Sequence, residues 1–455
     1  MSLGVEPRRL GGRTGRHARL TGLLHDPAPW VILAALATWV VRMFHQQHCQ
    51  QDVAGQPVKA MLRMCYSDIP IVWQTNQWGA GGPLLTDSAG IPQLPVITFL
   101  AAIGRGLTGL VRPLGGNGQA QLDAGNLFMV INAVLLFCLF LAWVIAHMLM
   151  GRDSVRAGDA LGAKPRRSMD AMFLATSVGV MSAGLISWDL VAPALTGIAL
   201  LLWSRGRVAV SGVVTGLALG AGIMPLALVV ALGVLCARAG RMQHFGRHAL
   251  WTGLTLAVVL IAAGTQSFAA TRKAYLALLD PEAGYGSFWW ILKEAGLAGQ
   301  VVPTMSKLLI IAAAIGVGLL SLHAPRRPRV AQVAALVLIS ALMLAPTYSP
   351  QYVLWLVGLV ALARPQLRDW LIFSGTQLLY FLAIWGHLQG NLRIGGGEDI
   401  GYPLAIVVHL TGLGWVASRI LHDMFHPADD PGRGAVDDPQ GGILREAPDA
   451  EWMTA

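Results

Sequence analysis

Asn126–Met150 reads NLFMVINAVLLFCLFLAWVIAHMLM, a run of 25 residues without one Asp, Glu, Lys or Arg. At 1.5 Å per residue, a helix of this length outreaches a hydrocarbon core of about 30 Å. Lipid offers the backbone no hydrogen-bond partner, so such a run must satisfy itself as an α-helix. Similar apolar runs recur from Trp30 to Ile420 with no soluble-length gap between them. The chain is 55% hydrophobic and only 13% charged. A soluble domain of ordinary composition carries about 25% charged residues. The expected fold is therefore an all-α polytopic membrane protein. Helices are expected near 30–44, 126–150, 169–187, 190–203, 208–223, 225–237, 249–266, 308–322, 330–346, 352–363, 369–386 and 403–420, about 12 in all. The 53 glycines suit closely packed membrane helices.

The basic residues orient this bundle. With the N-terminus on the cytoplasmic side, 23 of the 33 Lys and Arg fall in inside segments and nine in outside segments, with Arg42 inside the first helix. This is the positive-inside pattern. It accounts for the net charge of +9 without nucleic acid. Both termini are thus expected in the cytoplasm, with multi-pass insertion in the cell membrane. Arg8, Arg9, Arg13, Arg16 and Arg19 form a basic arm, and no small-residue cleavage site follows Trp30–Phe44, so the first run is expected to remain as a helix. Residues 92–112 are apolar, yet Pro92, Pro95, Arg105 and Arg112 interrupt or flank them. A full crossing there would turn Arg166, Arg167, Arg326 and Arg327 outward. The segment is expected to be a re-entrant or interfacial helix within a large first exterior loop, 45–125. Pro225, lacking an amide hydrogen, should break the chain between two short helices. The tail, 424–455, is rich in Pro, Gly and Asp and is expected to be a disordered cytoplasmic end, leaving 1–423 as the membrane domain.

Cys138 and Cys236 lie in apolar helices and read as small core residues. Cys49 and Cys65 share the first exterior loop, where a disulfide is chemically allowed. No metal-ligand spacing appears, and neither a metal nor a cofactor is expected. The exterior segments hold the carboxylates Asp68, Asp189, Asp280, Glu282, Glu294, Glu398 and Asp399. Each also has a plain reading as a solvated loop group, and Asp189 as a helix cap.

Five blocks, taken in order, point further. They are Cys65-Tyr66-Ser67-Asp68-Ile69-Pro70 with Pro95-Val96-Ile97-Thr98 downstream; Trp188-Asp189-Leu190 with Trp203-Ser204-Arg205-Gly206-Arg207; Gly286-Ser287-Phe288-Trp289-Trp290; Ser349-Pro350-Gln351-Tyr352-Val353-Leu354-Trp355; and Tyr380-Phe381-Leu382-Ala383-Ile384-Trp385. Nearly end to end, the chain resembles the actinobacterial integral-membrane glycosyltransferases of family 87, which have the GT-C architecture. The resemblance implies a GT-C-like bundle and inverting transfer of a sugar, commonly mannose. The donor would be a polyprenyl-phosphate sugar and the acceptor a glycolipid or glycan of the cell envelope, on the exterior face. It implies Asp68 as general base, with Tyr66, Asp189, Gln351 and Tyr352 around the substrates. Phosphate contacts would come from Arg272, Lys273, Lys293, Lys307, Arg393 or His387. Tyr66, Trp73, Trp78, Trp289 and Trp290 suit sugar stacking or interfacial anchoring.

The chain departs from the family pattern in two places. Where relatives have Lys-Leu-Tyr-Pro, it has Gly222-Ile223-Met224-Pro225, and Gln93-Leu94 replace the Glu-Tyr before the later proline. Two other readings therefore stand beside the enzyme: a non-catalytic family member in a membrane complex, and a lipid or solute transporter. A transporter would carry ionisable groups deep in its helices, whereas these helix centres are almost free of charge.

Overall fold

The apolar runs fold as helices throughout. The protein is seen in a computed structural model that describes residues 26–51, 59–85, 90–115, 118–151, 169–279, 282–297, 301–393, 399–433 and 437–450. In chain order the helices are α1 (Pro27–Gln47), α2 (Asp68–Thr75), α3 (Pro95–Val111), α4 (Gln119–Met150), α5 (Ala171–Ala175), α6 (Val178–Ala183), α7 (Val191–Ser204) and α8 (Val208–Leu219). They continue as α9 (Leu226–Arg238), α10 (Met242–Leu279), α11 (Phe288–Glu294), α12 (Val302–His323), α13 (Val330–Leu344), α14 (Val353–Ala363), α15 (Leu367–Leu388) and α16 (Gly401–Phe425). No strand occurs among the described residues. Among the described residues six helices, α1, α4, α10, α12, α15 and α16, are long and apolar enough to cross a membrane, and several shorter apolar helices pack among them. These features define a helical membrane protein.

Helix positions in the bundle follow from which faces are apolar. Helix α14 is buried along its whole length. A helix apolar all round belongs inside. By contrast, α10 and α12 turn large apolar side chains outward, with Val258 and Ile261 both 66% exposed. Small residues let the inner helices touch. A Cβ at Gly197 of α7 would come within 2.2 Å of the Trp143 ring on α4, and one at Gly358 of α14 within 2.3 Å of the same ring. Cys138 corrects the sequence reading: it is exposed on α4, on the side turned away from this contact, while Cys236 is buried as expected.

Two ends of the bundle can be traced from side-chain ties. The Asn126 amide near the start of α4 donates to Gln51 O, and Met150 O at its end accepts from Gln440. Helix α7 starts just after Asp189 and finishes where the Trp203 indole donates to Gly441 O. One end therefore carries Asp68 and Asp189, and the other carries the C-terminal segment. Helix α3 begins at the first end, where Val96 N donates to Gly220 O, and the chain just beyond it returns to Gly79 O through Gly115 N. Its inner face packs on α4, while Phe99 and Leu110 are 69% and 84% exposed.

Three breaks have local causes. The expected helix at 169–187 is split into α5 and α6, because Ser177 caps a new start by accepting from Val180 N. Helix α10 runs past the expected end at 266, with a kink at Ser267, whose hydroxyl accepts from Ala270 N. Pro225 lies in the turn that separates α8 from α9, as its chemistry requires.

The C-terminal segment differs most from expectation. Its described part, 426–433 and 437–450, is packed rather than disordered. The Arg329–Asp430 pair is fully buried at 2.8 Å, and Arg238 holds Asp449 at 2.8 Å. The acids that made the tail look disordered are the partners of arginines at the ends of α9 and α13.

Candidate active site

Asp68 is placed by a helix start. Ser67, in extended conformation, accepts from Ile69 N at 3.3 Å and caps α2, so Asp68 is the first residue of that helix. A disulfide between Cys49 and Cys65 ties this segment to the end of α1. A relay adds a second tie: Arg42 donates to Gln46, and the Gln46 amide donates to Cys65 O at 2.8 Å. Asp68 N donates to Ile186 O at 2.6 Å, docking the start of α2 against the turn 184–190. The Trp188 indole anchors that turn by donating to Asn132 of α4 at 2.8 Å.

These ties bring Asp68 and Asp189 together. The Asp68 carboxylate is half-buried and accepts from the Tyr66 phenol at 2.8 Å. Burial pushes its pKa up to about 6, opposed by the Tyr66 bond and reinforced by the Asp189 charge. Asp189 accepts from the Ser187 hydroxyl at 2.5 Å and from the Trp355 indole at 3.2 Å. Burial raises its pKa too, while Ser187, Trp355 and the nearby Gln351 amide favour the charged form. Tyr352 stacks on Trp355 with ring centres 4.3 Å apart. Every partner so far named for the two carboxylates is neutral. A carboxylate poised near neutrality and free of a cation suits proton abstraction.

Of the residues expected at the site, the structure gathers Asp68, Tyr66, Asp189, Gln351 and Tyr352. His387 sits nearby in an aromatic nest: it bonds Asp399 at 2.5 Å and stacks on Tyr402 at 4.3 Å, and Trp385, two residues earlier, packs against Tyr66 at 5.6 Å. Arg272 and Lys293 are exposed and make no side-chain bond to this group among the described residues. Trp290 is buried against Tyr402 at 4.9 Å, and the Trp289 indole donates to Leu344 O, so both stiffen the fold. Asp280 and Glu398 lie outside the described residues.

Ser187 and Trp355 were missed as site residues, although both flank or close blocks that the sequence singled out. Their signal is a hydrogen-bond donor two residues before a motif carboxylate, for Ser187, or at the end of a motif, for Trp355. No three His, Cys, Asp or Glu side chains among the described residues converge as a metal site.

Tyr66 and Ser67 also line a cavity of about 580 Å³, which adjoins a second of about 510 Å³. No protein-family model matches the chain, and no curated protein matches it.

Proposed function

We propose that this chain is a GT-C-type membrane glycosyltransferase. It would move a sugar, with mannose the expectation from the family 87 resemblance, from a polyprenyl-phosphate donor to a glycolipid or glycan acceptor on the exterior face. One observation carries the reading: Asp68 is a half-buried carboxylate with a pKa near 6, held by a phenol and not by a cation. In the proposed reaction Asp68 takes the acceptor hydroxyl proton as that oxygen attacks the anomeric carbon. The bond to the lipid phosphate breaks in the same displacement, so configuration inverts.

The proposed topology has 12 crossings with both termini cytoplasmic, and α3 as a re-entrant or interfacial helix. It is supported by the positive-inside bias and by both flanks of α3 meeting segments at the Asp68 end. Cysteines placed at Ala80 and Ala428, both exposed, should then label from opposite faces of the membrane. Labelling from one face would overturn it.

A second reading is favoured by one position. A Cβ at Gly222 would meet the Ala192 methyl at 3.1 Å, so the lysine of the family pattern has little room there. A non-catalytic member of a membrane complex fits that loss. Sugar transfer from a radiolabelled polyprenyl-phosphate donor separates the two: membranes carrying the chain should transfer sugar, and those carrying Asp68→Asn should not. Absence of transfer from the parent across a panel of donors would favour the non-catalytic reading.

A further inference from the structure

The two adjoining cavities at the Asp68 end share Gln51, Trp73, Gln74, Gln121 and Leu122 in their walls. Among the described residues, seven of the chain's 19 glutamines line one or both. Among the described lining residues there is no carboxylate, and Lys59 is the one cation. The side-chain amides of Gln50, Gln74, Gln77, Gln121 and Gln389 have no partner among the described residues.

This chemistry selects a ligand class. An amide offers two donors and two acceptor positions, and it matches a hydroxyl in either role. An anionic ligand would instead call for arginines or several lysines. A lipid tail would call for an apolar lining throughout, whereas the apolar side chains of the larger cavity, such as Leu62, Ile71 and Met129, stand beside these amides, and the smaller cavity is mainly polar. The aromatic part of the wall is fixed: Trp73 packs on Phe128 with ring centres 4.6 Å apart. Tyr66, whose phenol donates to Asp68 at 2.8 Å, forms another part of the wall. A sugar bound in the cavity thus reaches the side chain that holds the proposed base.

We propose that the joined cavities are the acceptor subsite and that they take an uncharged oligosaccharide of several hexose units, which the amides of Gln74, Gln77 and Gln121 bind through its hydroxyls. The assignment of the bound sugar as acceptor rests on the glycosyl-transfer reading, while the binding itself does not.

The test is saturation-transfer NMR on the full chain in detergent micelles, without donor. The probes are mannotetraose, which is uncharged, and tetragalacturonate, which carries a carboxylate on each ring. Mannotetraose should bind and tetragalacturonate should not. Gln74→Ala with Gln121→Ala should weaken mannotetraose binding roughly tenfold or more, since two hydrogen-bonding side chains are lost. Both positions are exposed. If that pair fails to accumulate, Gln77→Ala with Gln389→Ala carries the same test. Equal or tighter binding of tetragalacturonate, no binding of mannotetraose, or parent-like binding by the variants would each overturn the proposal. A chain that binds mannotetraose but transfers no sugar overturns the enzyme reading alone. One that transfers sugar yet fails to bind mannotetraose overturns this inference alone.

Discussion

The two ends of this bundle treat carboxylates differently. At the end that carries the C-terminal segment, buried acids face arginines. Asp430 meets Arg329 at 2.8 Å, and Arg364 holds Asp369 at 2.8 Å and Asp423 at 2.5 Å. At the other end, Asp68 and Asp189 are held by a phenol, a hydroxyl, an indole and an amide, none of them charged. The contrast shows what each set does. A paired buried charge fixes geometry, and its loss strands the partner. A carboxylate held by neutral donors has no cation to fix its charged form and remains free to exchange its proton.

The largest expected effect would break the comparison at Asp68. Asp68→Asn keeps the shape and should lower sugar transfer by about two to four orders of magnitude, with unchanged accumulation in membranes. Parent-like transfer would show that the uncharged setting of Asp68 has no catalytic meaning. In the parent, transfer should rise with pH through about 6 and level off above it, because the base acts only when ionised. Below that limb the rate should fall about tenfold per pH unit. A profile flat from pH 5 to 8 would remove Asp68 from the reaction.

The opposite end should answer in stability. Arg329→Ala removes the closest cation from buried Asp430, leaving it Arg433 at 3.2 Å, and should cost about 3 kcal/mol, read as a lowered unfolding midpoint in detergent. Burial alone would raise the pKa of Asp430, but the Arg329 guanidinium, helped by the Gly432 amide and Arg433, outweighs it and holds the carboxyl below the usual range. The stability from that pair is therefore present above the ordinary carboxylate pKa and is lost as pH falls below it. If the midpoint of Arg329→Ala matches the parent, the segment is not held by this pair.

Two smaller effects sharpen the contrast. Replacing Cys49 and Cys65 by serine opens a loop with a sequence separation of 16 and should cost about 3 kcal/mol. It should also loosen the Asp68 segment, so transfer should fall along with the unfolding midpoint. Asp189→Asn should have the smallest effect on the pH profile. It removes the weakest of the three influences on Asp68, one that raises its pKa, so the acid limb should move to lower pH by a fraction of a unit. A limb that moves upward would contradict the electrostatic coupling of the two carboxylates.

The sequence by itself determined the helical class and most helix positions. Apolar runs without charge, such as Asn126–Met150, leave the backbone no other arrangement in lipid. The break at Pro225 was equally legible, since proline acts through its own covalent structure. Asp68, Tyr66, Asp189, Gln351 and Tyr352 were visible as motif residues. The tertiary structure alone decided that they meet, because it takes the Asp68 N–Ile186 O bond and the Trp188–Asn132 bond to dock distant segments. It also left Arg272 and Lys293 exposed, with no side-chain bond to that group among the described residues, and turned Cys138 outward. The C-terminal segment shows the limit most clearly. Its Pro, Gly and Asp content has the composition of a disordered chain, and composition carries no trace of partners. Arg329 lies about a hundred residues away from Asp430, and burial of the two together gives the described part of the tail a fixed place. A charge pattern read along the chain records how many acids there are, whereas only the fold decides which of them meet a cation.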